Sequence, residues 1–254
     1  MIKLKTAEEI KQLRAGGQIL AQILKALSQE VKPGLKTNEL EIKARVLIKE
    51  AGAESAFLGY KPAGSRLAYP AALCVSVNDE IVHGIPSERI LKEGDIVTLD
   101  LGLKYQGLFT DMAVTVPVGE VSDEAKKLIA GTEEALAAGV AAARPGGRVG
   151  DIGAAVEAVG RKYKFGLVTD LAGHGVGYDV HEEPYVPNYG ERGSGEKLLP
   201  GLVIAIEPMF TLGVGKTKLL SDGFTFIAAD KSWAAHAEKT IAITEEGVEI
   251  LTKL

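Results

Sequence analysis

The sequence contains one cysteine, Cys74, so no intrachain disulfide can form, and a reducing compartment suits the chain. It has no apolar run near the ~20 residues needed to cross a bilayer as a helix. The segment from Met1 to Lys11 is charged and lacks the apolar core of a signal peptide. These absences lead us to expect a cytoplasmic protein with no membrane partner. Basic residues are scattered and often sit beside acids, as in Lys3, Lys5, Glu8, Glu9 and Lys11, and the net charge is −5. That pattern carries no signal for direct nucleic-acid binding. No phosphate-binding loop, G-x-G-x-x-G fingerprint or G-x-S-x-G elbow occurs. Cys74, in its apolar run, reads as packing rather than as a nucleophile.

What is present is an ordinary globular composition, 46% hydrophobic and 25% charged over 254 residues. No Pro/Ser-rich or highly charged linker divides the chain, so one domain over residues 1–254 is expected. The 30 glycines exceed the usual share of about 7%. Several of them flank polar motifs, where backbone turns sharply or approaches a ligand.

Ile10, Leu13, Leu20, Leu24 and Leu27 repeat at helical spacing, predicting a helix over 7–30 that stops at Pro33-Gly34. A second helix is expected from Asn38, with Glu41 as its capping partner, to about Ala51-Gly52. Strand-like runs follow at 73–77, 96–103 and 108–116. The order then repeats: a helix capped by Ser122 and running to about Arg144, one over 149–163, then strand candidates at 167–171, 202–207, 224–228, 238–244 and 248–252. The matched halves predict a pseudo-twofold α+β fold with a site at the seam.

Five residues near the ends of strand-like runs stand out: Asp100, Asp111, His174, Glu207 and Glu238. Four carboxylates and one imidazole form an oxygen-rich set suited to divalent cations. Asp100 and Asp111 flank a hairpin turn. Centred on Tyr105-Gln106, the turn sets them directly opposite, roughly 5 Å apart at Cβ; centred on Gln106-Gly107, it makes them diagonal neighbours, roughly 7 Å apart. Two like charges so placed call for a shared proton or a cation, unless the face is simply solvated. His174 lies between Gly173 and Gly175, where missing side chains leave room for a metal and a substrate backbone; a core histidine is the other reading. His83 and His181 sit in turn-rich stretches and could be surface histidines or hydrogen-bond donors at such a site. His236, two residues before Glu238 and on its face of a strand, reads first as exposed, with a place behind the site as the other reading. Glu207 and Glu238 read alone as strand ends, and no spacing rule links them.

Taken in order, these motifs resemble the methionine aminopeptidases, type I, of the pita-bread metallopeptidase family. The resemblance spans nearly the whole chain. It rests on Ser76 through Pro86 with His83, Asp100 with Asp111, Gly173-His174-Gly175 through His181-Glu182-Glu183-Pro184, Ile206-Glu207-Pro208-Met209 and Glu238-Lys239-Thr240. Only 25 residues lie between His181 and Glu207, too few for the helical insertion of type II enzymes. The chain also shows no extra N-terminal domain of the prolidase kind.

The resemblance implies a curved antiparallel sheet covered by helices, and two divalent ions (Co, Mn, Fe or Zn). Asp100 would chelate one ion, Asp111 and Glu238 would bridge both, and His174 and Glu207 would complete the second. Four negative ligands would balance two dications. A water deprotonated between the metals would attack the first peptide bond, with Glu207 shuttling the proton, His181 stabilising the oxyanion and His83 holding the scissile amide. Tyr69, Cys74 and Phe224 would line the methionine pocket, with Val180 a further candidate. The implied substrates are nascent polypeptide N-termini with a small second residue, cut by a monomer associated with the ribosome. His236 stands where glutamine is common in the family and Lys239 where histidine is. Xaa-Pro peptidases of the same fold, or a homologue without metal, are the competing expectations.

Overall fold

The computed structural model describes residues 2–61 and 67–253. Two helices, α1 (Ala7–Glu30) and α2 (Thr37–Glu50), open the chain. Five strands follow: β1 (Glu54–Ser55), β2 (Cys74–Val77), β3 (Glu80–Val82), β4 (Ile96–Tyr105) and β5 (Leu108–Pro117). A second helix pair, α3 (Asp123–Ala142) and α4 (Val149–Tyr163), then leads into short strands. These are β6 (Gly166–Leu167), β7 (Ala172–Gly175), β8 (Glu182–Pro187), β9 (Val203–Ile206), β10 (Met209–Thr211), β11 (Thr217–Leu219) and β12 (Phe226–Ala228). The last three are β13 (Ala234–His236), β14 (Lys239–Ile243) and β15 (Val248–Ile250). The expected order of helix pair and strands, twice over, is met. No helix among the described residues is long and apolar enough to cross a membrane.

The helices form where their ends are capped and one face is apolar. Thr6 caps α1 in a reciprocal box with Glu9: its side chain accepts from the Glu9 N–H, and Glu9 accepts from the Thr6 N–H at 2.8 Å. Ser122 caps α3 as expected, accepting from the Ala125 N–H. The second helix departs from expectation. It begins at Thr37, and Glu39 rather than Glu41 accepts from the Lys36 N–H. Glu41 is instead buried, and its carboxylate gathers the N–H groups of Ala72 and Leu73, tying α2 to the start of β2.

Each helix pair covers its own strands. Leu20, Leu24 and Leu27 of α1 and Leu40, Ala44 and Ile48 of α2 pack with Val75 and Val77 of β2 and Val97, Leu99, Leu101 and Leu103 of β4. On the other side Leu136 and Val140 of α3 and Val149 and Ile152 of α4 pack with Val186, Ile204, Ile206, Ile241 and Ile243. Alternation along β4 turns Val97, Leu99, Leu101 and Leu103 to α1 and α2 and leaves Ile96, Thr98, Asp100 and Gly102 on the opposite face.

Among the described residues all strand pairs are antiparallel, in four hydrogen-bonded groups: β1-β4-β2 with β5 on β4, β13-β10-β6, β11-β12-β3 and β15-β14-β9-β7-β8. The two halves meet where β5 runs beside residues 236–240. Three contacts recur there at every second residue. Thr115 Oγ1 accepts from the His236 N–H at 3.0 Å and donates to its carbonyl at 2.7 Å. The Glu238 N–H donates to the Ala113 carbonyl at 2.9 Å. Thr240 Oγ1 accepts from the Asp111 N–H at 2.9 Å and donates to the Asp111 carbonyl at 2.8 Å. Threonine hydroxyls thus replace ladder bonds and set Asp111 and Glu238 at a fixed offset.

Replacing Thr240 with the near-isosteric valine strands both backbone groups of a buried residue. We expect Thr240→Val to lose about 1–3 kcal/mol of stability in urea unfolding, with Thr240→Ser retaining most of it. A valine variant as stable as the parent would show that the clasp contributes little.

Candidate metal centre and its pocket

The hairpin register decides between the two sequence expectations. Tyr105 pairs with Leu108, so the turn is Gln106-Gly107. Both turn residues have positive φ, 50° and 85°, as a two-residue type I′ hairpin requires. Asp100 then faces Ala113, Asp111 faces Gly102, and the two aspartates are diagonal neighbours. Both are buried.

The other half supplies three more groups. Lys239 of β14 pairs with Ile206 of β9, so Glu238 and Glu207 stand at the adjacent ends of those strands. That pairing is the link which sequence spacing lacks. His174 lies on β7 at 172–175, whereas the strand expected at 167–171 forms only as the short β6 at 166–167. Ala172-Gly173-His174-Gly175 lacks β-branched residues, and its sequence therefore does not announce a strand. The glycines around His174 serve packing rather than metal access. A Cβ on Gly173 would overlap the Ala205 carbonyl, and one on Gly175 the Glu183 carbonyl.

Ligand atoms of Asp111, His174 and Glu238 all lie within 4.8 Å of one another. Glu207 Oε1 is 3.5 Å from His174 Nε2. Because the Gly175 carbonyl can only accept, His174 Nδ1, 2.9 Å away, carries the proton, and the lone pair on Nε2 faces the carboxylates. One oxygen each of Asp100 and Glu238 is buried without a hydrogen-bond partner. Lys239 gives Glu238 no direct contact: its ammonium donates to the Thr252 carbonyl at 2.9 Å.

Burial pushes all four carboxyls well above their ordinary range, and mutual repulsion adds to it: Glu207 acts on Asp100, Asp100 on Asp111, Asp111 on Glu207, and Asp111 most strongly on Glu238. Burial also holds His174 down to about 3, with His181 as the next cause. Such a set of unpartnered acidic oxygens and one neutral imidazole matches the donor chemistry of divalent cations.

Around this cluster lies a cavity of about 370 Å³, lined by the five with His83, His181, Tyr69, Cys74 and Phe224, but not by Val180. Cys74 pairs with Asp100 across β2 and β4, so the apolar wall and the acidic floor share one rung. Tyr69 donates to the Gly84 carbonyl at 2.9 Å and meets the Phe224 ring edge-on at 5.3 Å. Val180 packs in the same apolar cluster with Tyr69 and Cys74. His83 is pushed down to about 4, by burial first and His181 second. His181 is exposed at the mouth, its ring 4.4 Å from that of His174 and its Nδ1 2.8 Å from the Tyr60 hydroxyl.

Three contributors escaped the sequence reading. Phe57 and Tyr60 line the cavity from the loop before β2, where only an aromatic cluster in a turn hints at them. His236, expected to be exposed, is 1% exposed, with Nε2 3.4 Å from Glu207 Oε2. It shares Glu238's side of the chain, but the Thr115 clasp that draws it inward is a contact between distant segments.

Residues 11–245 match the model of metallopeptidase family M24. The chain belongs to this family. Within M24 it groups with the methionine aminopeptidases. It is 47% identical to the Methionine aminopeptidase of Aquifex aeolicus, across all of this chain and 99% of that one. It superposes on the crystal structure of methionine aminopeptidase from Thermotoga maritima with a TM-score of 0.96, 40% identity and full coverage of both chains. Prolidase from Pyrococcus furiosus shares the fold at a TM-score of 0.76 and 27% identity, over 99% of this chain and 65% of that one. The pita-bread α+β expectation therefore holds for this M24 member, as does that of a divalent-metal hydrolase.

The raised carboxyls set a pH dependence. Each binds a proton more tightly in the fold than in the unfolded chain. Its contribution to stability is full below the unfolded-state pKa and is lost as pH rises through the folded-state value. In metal-stripped protein, Asp111→Asn removes one such group and keeps an acceptor for the Met112 N–H. We expect this variant to melt above the parent at pH 8, by roughly 2–4 °C per kcal/mol of relieved repulsion, with the gap closing toward pH 5. Calorimetry showing a pH-independent gap would contradict it.

Proposed function

We propose that the chain is one catalytic unit that removes N-terminal methionine from nascent polypeptides and peptides with a small second residue. The observation that carries this reading is the shared rung of Cys74 and Asp100, which joins an apolar, aromatic and sulfur-containing pocket to the carboxylate cluster. A side chain lodged against Tyr69, Cys74 and Phe224 brings its own carbonyl to the acidic floor. A thioether suits such walls, because polarisable sulfur makes favourable contacts with aromatic edges.

In this reading Asp100, Asp111, His174, Glu207 and Glu238 hold two divalent ions, drawn from Co, Mn, Fe and Zn. When bound, the ions supply positive charge that polarises a carbonyl and lets water lose its proton near neutral pH. The chain's own groups do the rest. Glu207, beside His174 and His236, takes the proton of the attacking water and passes it to the leaving amine. His181, at the mouth, donates to the developing oxyanion. His83, held as the neutral imidazole, offers a hydrogen bond to the scissile amide. The free α-amine of the substrate binds beside the carboxylates, so a chain without a free terminus loses that anchor.

Two experiments test this. Turnover of Met-Ala-Ser, with Mn²⁺, Fe²⁺, Co²⁺ or Zn²⁺ added, should far exceed that of a Xaa-Pro-Yaa peptide; faster cleavage of the latter would move the chain to the Xaa-Pro peptidases. His181→Ala should lower kcat by about 10²- to 10³-fold, as removal of an oxyanion donor does elsewhere, while calorimetric titration still shows two bound ions. An unchanged kcat would remove His181 from the reaction.

A further inference from the structure

The first residues of the chain reach the loop that carries His181. Lys5 is buried with its side chain fully covered, and its Nζ sits 2.7 Å from Glu182 Oε2. Glu182, next to His181 in sequence, is also nearly enclosed. Its two oxygens divide the work. Oε2 accepts from Lys5, while Oε1 accepts from the backbone N–H groups of Tyr178 and Asp179, the latter at 2.9 Å. The carboxylate therefore folds the turn 178–182 around itself and fastens it to the N-terminal segment.

Other contacts hold the same junction. The Lys5 N–H donates to the Gly201 carbonyl at 2.7 Å. Its ammonium lies 4.9 Å from the centre of the Tyr178 ring. The Tyr178 hydroxyl donates to Glu9 at 2.9 Å, and Glu9 also closes the N-terminal box of α1. Gly177 has a φ of 141°, and a Cβ there would overlap the Lys5 side chain, so glycine leaves the slot that the lysine fills. His181 lies beyond this anchor with its ring exposed.

We propose that Lys5 is a positioning residue for the reaction. Its ion pair with Glu182 sets where the His181 ring stands above the carboxylate cluster. The inference rests on the role given to His181 above. Losing the lysine leaves a buried carboxylate without its counter-charge, which favours an outward swing of the turn toward water. A shift of about 1 Å in a donor aimed at the reacting carbonyl can cost up to ~10²-fold in rate. Lys5 touches none of the five candidate ligands, so metal binding should not follow the same course.

The test is a double-mutant cycle on the metal-loaded full chain with Met-Ala-Ser, with Lys5→Met made alone and together with His181→Ala. We expect Lys5→Met to lower kcat by about tenfold or more with His181 present and by less than about twofold without it, at unchanged metal affinity. Equal losses in both backgrounds, no loss in either, or a parallel fall in metal affinity would overturn the positioning role. If Lys5→Met does not fold, Glu182→Gln, which keeps an acceptor for the turn, is taken through the same cycle with the same criteria. A His181→Ala variant as active as the parent would instead overturn the role of His181 itself, and so separates the two failures.

Discussion

Four carboxyl groups, all buried or nearly so, meet around one imidazole, and they cannot all be ionised there without a counter-charge. At an effective dielectric of ~20, two like charges ~5 Å apart repel by about 3 kcal/mol. Desolvation adds to that for every member of the cluster. Protons relieve the stress at low pH; divalent cations relieve it at neutral pH and turn a liability into a Lewis-acid site. The rest of the architecture holds these groups together against that repulsion.

The holding is done at the seam. Asp100 and Asp111 come from one hairpin, His174, Glu207 and Glu238 from the other half, and each half has its own helix pair and apolar core. Cores of that kind fix each half but not their relative register. The clasps of Thr115 on His236 and Thr240 on Asp111, with the Glu238 N–H on the Ala113 carbonyl between them, supply that register. Each threonine satisfies both a donor and an acceptor of buried backbone, so the seam leaves few polar groups unpaired while bringing Asp111 and Glu238 together.

Where chemistry is local, the sequence discloses it. Helix α1 is predicted in place because its apolar stripe and the Pro33-Gly34 stop are local signals, and the Thr6–Glu9 box that closes its start is local too. The shared face of Asp100 and Asp111 follows from alternation, though only the Gln106-Gly107 turn, with two positive φ values, selects the diagonal register. What depends on distant strands is silent. Glu207 and Glu238 are joined through the Ile206–Lys239 pair, which no spacing rule anticipates, and family resemblance alone connected them beforehand. Glu41 misled because an acid three residues into a helix looks like a cap, whereas its carboxylate was needed by the backbone at Ala72 and Leu73. His236 misled because what fixes it is distant in sequence: Thr115 holds its backbone, and its ring is buried beside Glu207.

The fold alone does not choose between a methionine-specific and a proline-directed enzyme, since prolidase from Pyrococcus furiosus shares it. The choice turns on which side of the scissile bond is gripped. An enzyme that reads proline must enclose the second residue of its substrate. Here the apolar walls Phe57, Tyr69, Cys74 and Phe224 gather on the β2 side of the cluster, at the rung where Cys74 meets Asp100. His181, exposed at the mouth and tethered through Glu182 to Lys5, bounds the same cavity and meets its Tyr60 wall. An apolar pocket beside the carboxylates, with a histidine at its mouth, suits a substrate whose first side chain is buried and whose second must be small enough to pass the imidazole. Selectivity for the first residue would then come from walls that both halves supply, Tyr69 and Cys74 from one and Phe224 from the other, and tolerance at the second from the height at which the N-terminal segment holds the 178–182 turn.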